Sequence, residues 1–161
     1  MKEKTKLNYL KLKDYLIKNQ WKLADLQTRK LMLNITGADK RQDILLTQND
    51  LNNFPCEHLI LINNLWQKQS HNHFGFTIIN QIYLDCNQDY KLLAKKVGWY
   101  HNNEWIKQEK INFSLEAPQG HLPLSWLIPK TFSVYWCSRF ASAGWGLLLN
   151  RINQCDIKNY E

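Results

Sequence analysis

Apolar side chains recur along this chain at intervals of three and four, the spacing that gathers them on one face of a helix. Leu12, Tyr15 and Leu16 share a face of a first short helix. Trp21, Ala24, Thr28, Leu31 and Ile35 define a second, and Gly37 is placed to stop it in a left-handed conformation. Two short amphipathic helices in succession predict an antiparallel helical hairpin. Thr47-Gln48-Asn49-Asp50 has the form of an N-cap with an acid three residues on. Pro55 then suits the first turn of a helix whose buried face carries Leu59, Ile62, Leu65 and Trp66. After a polar break at 70–73, Phe76, Ile79, Ile82 and Tyr83 return to helical spacing, and 89–97 predicts one more helix, stopped by Gly98.

The pattern then changes. Trp99 and Trp105 flank His101-Asn102-Asn103, a turn-like segment that joins two short extended strands. From 111 to 129 the chain is irregular, punctuated by Pro118, Gly120, Pro123 and Pro129. The last regular element covers 141–155, with Trp145, Leu148, Leu149, Ile152 and Cys155 on one stripe. There is no repeat, no low-complexity tract and no βαβ rhythm. The predicted class is all-α: a single compact helical domain with a long aromatic loop before its last helix and a minor hairpin near Trp99 and Trp105.

Composition supports one folded unit. The chain has 161 residues, 44% hydrophobic and 22% charged, enough apolar side chain to bury a core. Its net charge of +7 is unevenly placed. Residues 1–41 hold 11 basic and 4 acidic side chains, whereas the remaining 120 hold ten of each. The basic excess is therefore an N-terminal property. No apolar run approaches the roughly 20 residues needed to cross a bilayer. The start has neither the apolar core of a secretory signal nor the Arg/Ser-rich look of a transit peptide. Either the chain works where it is made or a presequence has been removed. Cys56, Cys86, Cys137 and Cys155 form no CxxC and read as buried reduced thiols of an intracellular protein.

One stretch carries most of the candidate chemistry. The 39 residues from Ala117 to Cys155 contain no Asp or Glu, yet hold Lys130, Arg139 and Arg151 among Trp126, Phe132, Tyr135, Trp136, Phe140 and Trp145. Rings supply burial and stacking, and guanidinium forks take carboxylates or phosphates, so a flat, apolar, anionic ligand suits this composition. The same rings would also serve as ordinary core. Against that, the run 131–142 is apolar on every side and follows a Pro-punctuated loop, where large rings are hard to bury completely. Single-stranded nucleic acid is a rival ligand, but three cations are few and no nucleic-acid-binding signature is present. Cys56-x-His58 and His71-x-His73 fit no common metal spacing, so no metal site is expected. His121, in a turn fixed by Gly120 and Pro123, either orients a ligand or locks the loop through backbone hydrogen bonds. No phosphate loop, nucleophile elbow or zinc-protease motif occurs, which argues for binding rather than turnover.

Several motifs, taken in order, point further. Phe54-Pro55-Cys56-Glu57-His58-Leu59, Leu65-Trp66, Phe74-Gly75-Phe76, Val97-Gly98-Trp99, Trp105 and the run from Phe113 through Ala117-Pro118-Gln119-Gly120-His121-Leu122-Pro123 resemble the genomes-uncoupled four family, over about 9–155. These are porphyrin-binding activators of magnesium chelatase in oxygenic phototrophs. The resemblance implies an all-helical domain with an open apolar cleft and no catalytic centre. It implies protoporphyrin IX or magnesium-protoporphyrin IX as ligand, no prosthetic group, and the large porphyrin-binding subunit of magnesium chelatase as partner. It divides the chain into a basic lead at 1–8 and a porphyrin-binding helical core at 9–157.

The expected pocket combines three groups of residues: Trp66, Gln67, Phe74, Phe76 and Ile79; His121, Leu122 and Trp126; and Phe132, Trp136, Arg139, Phe140 and Arg151. Phe76 carries over as a wall, and Arg151 matches a basic position in Leu-Leu-x-x-Arg-x-x-x-Cys. Arg139 and Lys130 are placed by chemistry alone. The chain departs from the family at three points. Gln67 stands where an apolar cleft residue is usual, His71-Asn72-His73 replaces a Gly-containing turn, and the additional N-terminal helical domain of many cyanobacterial members is lacking. Gln67 keeps open a protein-interaction module, or a linear-tetrapyrrole (bilin) binder with weakened porphyrin affinity. The expected setting is the plastid stroma, with peripheral membrane association, or else a cyanobacterial cytoplasm.

Overall fold

The computed structural model describes residues 2–42, 44–127 and 142–155. The helices α1 (Lys2–Ile17) and α2 (Trp21–Thr36) form the expected hairpin, turned at Asn19, whose φ of 57° is a left-handed value that asparagine tolerates. Gly37 closes α2 at φ 79°. At α3 (Gln48–Asn52) the capping box forms: the Asp50 N–H donates to Thr47 Oγ1 at 3.2 Å, and the Thr47 N–H donates to Asp50 Oδ2 at 2.8 Å. α4 (Cys56–Gln69) buries Leu59, Ile62 and Trp66, and α5 (Phe76–Asp85) buries Phe76 and Ile79. α6 (Tyr90–Lys96) is capped by the Asp89 carboxylate, which accepts from the Leu92 N–H at 3.1 Å.

The hairpin is also present. Strands β1 (Tyr100–His101) and β2 (Glu104–Trp105) pair antiparallel, Tyr100 opposite Trp105 and His101 opposite Glu104. Asn102 and Asn103 both have positive φ, 50° and 62°, the two-residue turn whose twist matches the strands it joins. The final helix, α7 (Ser142–Gln154), buries Trp145, Leu148, Leu149 and Ile152. The architecture is thus helical with one tiny sheet. Among the described residues, no helix is long and apolar enough to cross a membrane.

Indoles hold the centre. Trp145 of α7 meets Trp99 at 4.8 Å, Trp126 at 5.0 Å and Phe76 at 6.3 Å between ring centres. A second knot joins Trp21, Trp66 and Phe74, and Trp66 Nε1 donates to Thr28 Oγ1 at 2.8 Å, so its one polar atom is satisfied. Asn80 of α5 and Asn153 of α7 bond each other through their amides.

One expectation is overturned. Cys56 and Cys155 are not reduced thiols but a disulfide, with Cα atoms 5.3 Å apart, tying the start of α4 to the end of α7. Spacing along the chain cannot reveal a pair separated by 99 positions. Cys86 is a buried free thiol, and Cys137 lies outside the described residues.

Candidate functional site

Three half-buried rings converge where α6, the hairpin and the start of α7 meet. The Asp89 cap fixes the first turn of α6, and with it Tyr90 and Lys91. The asparagine turn sets Tyr100 against Trp105, edge to face at 4.8 Å, and Tyr90 stacks on Trp105 at 5.9 Å and 20°. Lys91 Nζ lies 5.0 Å and Lys95 Nζ 5.9 Å from the centre of the Tyr100 ring, within cation–π range. These lysines are four apart, so one helical face presents both.

Two concavities share Tyr100 and Trp105 as walls. The first encloses about 640 Å³ and is completed by Asp89, Tyr90, Lys91 and Ser142. Ser142 is the first residue of α7, so the acid-free aromatic segment re-enters the described chain at this rim. The second encloses about 530 Å³ over a floor of Gly98, Pro118 and His121, with Lys95, Lys107 and Lys110 among its lining. Both volumes fall in the roughly 300–1,000 Å³ range of small-molecule sites.

The floor is rigid for identifiable reasons. The buried His121 ring donates from Nδ1 to the Val97 carbonyl at 2.7 Å and accepts the Asn112 N–H on Nε2 at 3.2 Å. Those partners select the neutral tautomer protonated on Nδ1. Burial holds its pKa below the ordinary value, outweighing the Val97 bond, which acts in the opposite direction. His121 therefore locks the loop, and its carbonyl accepts Trp99 Nε1–H at 3.0 Å. His73 Nε2 donates to the Ala117 carbonyl at 2.6 Å, the Gly120 N–H donates to His73 O at 2.9 Å, and the Gly75 N–H donates to Leu122 O at 3.2 Å. The segment 117–122 is thereby stitched to the turn at 70–75.

A carboxylate from elsewhere in the chain anchors the root of the acid-free segment. Asp25 of α2 is fully buried and accepts from the Leu124 N–H at 2.9 Å, the Ser125 N–H at 3.2 Å and the Ser125 hydroxyl. Burial raises its pKa above the ordinary value, and the three donors offset this only in part. Sequence reasoning passed over Asp25. The available signal was a lone acid beside Ala24 on a stripe otherwise made of Trp21, Thr28 and Leu31.

The structure distributes the anticipated pocket residues differently from the sequence reading. Trp66, Phe74, Phe76, Ile79, Leu122 and Trp126 are at most 2% exposed and pack against one another and α7, behind the concavities rather than lining them. The half-buried Gln67 accepts from Thr77 Oγ1 at 2.8 Å and Asn63 Nδ2 at 3.3 Å, joining α4 to α5. Arg151 spends its guanidinium on the Phe54 carbonyl, at 2.9 Å from Nε, and on Gln154 Oε1 at 3.1 Å, so it braces α7 against the corner before α4. His121 alone of these contributes to a described concavity. Phe132, Trp136, Arg139 and Phe140, with Lys130, lie outside the described residues. Missing from the sequence reading were Tyr90, Lys91, Lys95 and Tyr100, whose signal was the lysine pair four apart leading into an asparagine turn.

The side chains of Cys56-x-His58 and of His73 have other partners. Cys56 is oxidised, His58 Nδ1 shares a 2.8 Å hydrogen bond with the Tyr9 hydroxyl, and His73 holds Ala117. Among the described residues, no three His, Cys, Asp or Glu side chains come together.

Fold and face together define a helical domain that presents half-buried rings edged by lysines. The chain belongs to the GUN4-like family, whose model matches residues 2–137. A Ycf53-like protein of Synechocystis sp. is 33% identical over 119 residues, 73% of this chain and 51% of the relative. A protein of Arabidopsis thaliana named tetrapyrrole-binding protein, chloroplastic, is 29% identical over 126 residues, 71% of this chain and 47% of that relative. The chain thus spans about half the length of the curated relatives it matches. The ligand-free structure of Arabidopsis thaliana GUN4 superposes with a TM-score of 0.69 at 26% identity, over 91% of each chain.

Proposed function

We propose that this chain binds a tetrapyrrole without transforming it, holding protoporphyrin or its magnesium complex, and that it stimulates magnesium chelatase at the entry to chlorophyll synthesis. The observation that carries this reading is the meeting of Tyr90, Tyr100 and Trp105 with Lys91 and Lys95 at the point where the acid-free aromatic segment joins α7, in a chain of the GUN4-like family. The name of its Arabidopsis relative, and that relative's chloroplastic designation, support a tetrapyrrole as ligand and a plastid or cyanobacterial setting. In this reading the macrocycle lies on the rings and its propionates meet the lysines, while Phe132, Trp136, Arg139 and Phe140, outside the described residues, are kept as candidate ligand contacts on their chemistry alone. Phe76, Trp126 and Trp145 hold the platform from behind. About 40 heavy atoms at roughly −0.3 kcal/mol each bound the affinity at about −12 kcal/mol, nanomolar at best.

Quenching of tryptophan emission tests the binding half. Protoporphyrin, magnesium-protoporphyrin and a linear tetrapyrrole are titrated in parallel, with saturation at or below micromolar ligand expected for the cyclic pair. Replacing Lys91 and Lys95 together by Ala should weaken binding about two- to thirtyfold, because exposed ion pairs contribute only about 0.2–1 kcal/mol each. Absence of saturable quenching by any of the three removes the reading, and a preference for the linear one changes the ligand to a bilin. The activation half is measured as magnesium insertion by the chelatase with and without this chain; an unchanged rate refutes it.

A further inference from the structure

The second concavity beside the hairpin has a chemistry of its own. Its floor is close-packed: both ring nitrogens of His121 are engaged, and Gly98 lets Pro118 and His121 approach so closely that a Cβ there would lie 2.9 Å from Pro118. Tyr100, Trp105 and Ile106 supply apolar walls. Three lysines, 95, 107 and 110, meet one carboxylate, Glu104, around the opening. Among the described residues, no ion pair is found for any of these three lysines. Uncompensated cations around a ring-walled hollow attract a ligand that brings both an aromatic face and negative charge.

We propose that this concavity is a second small-molecule site, adjoining the tetrapyrrole-binding face and sharing its Tyr100 and Trp105, that takes an aromatic anion: a flat ring system between Tyr100, Trp105 and Pro118, with its carboxylate or phosphate at Lys107 and Lys110. The ring system buries apolar area against the walls, and the lysines select for the anionic head group. Lys95 and Lys110 are exposed and Lys107 is half-buried, so the charge contribution is modest and sensitive to salt.

The test uses the full chain and simple probes. Amide chemical shifts are followed by nitrogen–proton correlation spectroscopy during titration with 1-naphthoate, 1-naphthyl phosphate and the neutral methyl 1-naphthoate. Saturable shifts should cluster between residues 98 and 112, with a dissociation constant near millimolar for so small a probe. Methyl 1-naphthoate should bind at least threefold more weakly than the anions, and the double variant Lys107→Gln with Lys110→Gln should weaken the anions about fivefold. Lys110 is exposed and Lys107 half-buried, so the variant's unperturbed spectrum serves as the folding control. Tighter binding of either anion than of the ester sustains the proposal and names the head group. Equal binding of the ester, an indifferent lysine variant, or shifts confined to other residues overturns it. Because no porphyrin is present, this outcome is independent of the quenching titration.

Discussion

Asp25 offers the sharpest test of how the loop's root is held. Replacing it with Ala leaves the Leu124 N–H, the Ser125 N–H and the Ser125 hydroxyl without their acceptor in a buried place. Each orphaned group costs about 1–3 kcal/mol. Several kcal/mol are recovered because a carboxylate no longer has to be buried. The net loss should be about 3 kcal/mol, or about 6–12 °C in melting temperature for a domain of this size. Asp25→Asn behaves differently. Its side-chain oxygen still accepts both backbone N–H groups, and its amide donates to a Ser125 hydroxyl turned about its bond, so the loss should be about 1 kcal/mol. Acidity separates the two further. Burial lifts the folded-state pKa of Asp25 above the ordinary 3.8, so its contribution to stability is complete below that value and declines as pH rises through the raised one. The Asn variant has no such titration at this position. Thermal melts from pH 4 to pH 8 should therefore show the wild type losing ground relative to Asp25→Asn as pH rises. Equal destabilisation by Ala and Asn at every pH would refute this account of the contact.

Two further outcomes follow from the fold. The cross-link between Cys56 and Cys155 closes a loop of about 100 residues, for which chain entropy gives about 4.7 kcal/mol, so replacing both by Ser should lower the melting temperature by about 10 °C or more. Dithiothreitol should reproduce that shift in the wild type and leave the double variant unmoved; equal melting of all three samples would contradict the bond. His71→Gly should raise the melting temperature by about 1–2 °C, because φ of 54° strains a side-chain-bearing residue, whereas Gly120→Ala should lower it by several degrees, since its Cβ would meet Val97 at 2.9 Å and Ile82 at 3.0 Å at φ 80°. A pair of calorimetric scans decides both signs.

Much of the fold was legible because its signals are local. Three-and-four spacing located the helices; Thr47 and Asp50, Gly37, Gly98 and the Asn102-Asn103 pair fixed ends and turns through contacts spanning a few residues. The site was less legible for a physical reason. Apolar periodicity identifies what faces inward, so Trp66, Phe76 and Ile79, which obey it, lie in the core, as does Trp126, chosen for its place in the aromatic stretch. The face proposed to meet the ligand is made of side chains left half outside, Tyr90, Tyr100 and Trp105, and these interrupt the period rather than obey it. His121 was read with both of its alternatives, and the backbone bonds to Val97 and Asn112 assign it to the loop. The Gly-replacing turn at His71 and Asn72 is explained by its geometry: both residues have positive φ, 54° and 65°, where glycine is at ease. Contacts such as Asp25 to Ser125, about a hundred positions apart, leave no trace in spacing.

Covalent topology gives the cross-linked chain one more property. Any single backbone cut between residues 56 and 155 leaves two fragments that remain one molecule, since the sulfur bridge encloses them both. Limited proteolysis of the oxidised protein within that ring should therefore go unseen on a non-reducing gel and appear as two bands only once a thiol is added. Cuts before residue 56 release a fragment under either condition, so the same digest run twice maps which side of the ring each cleavage falls on.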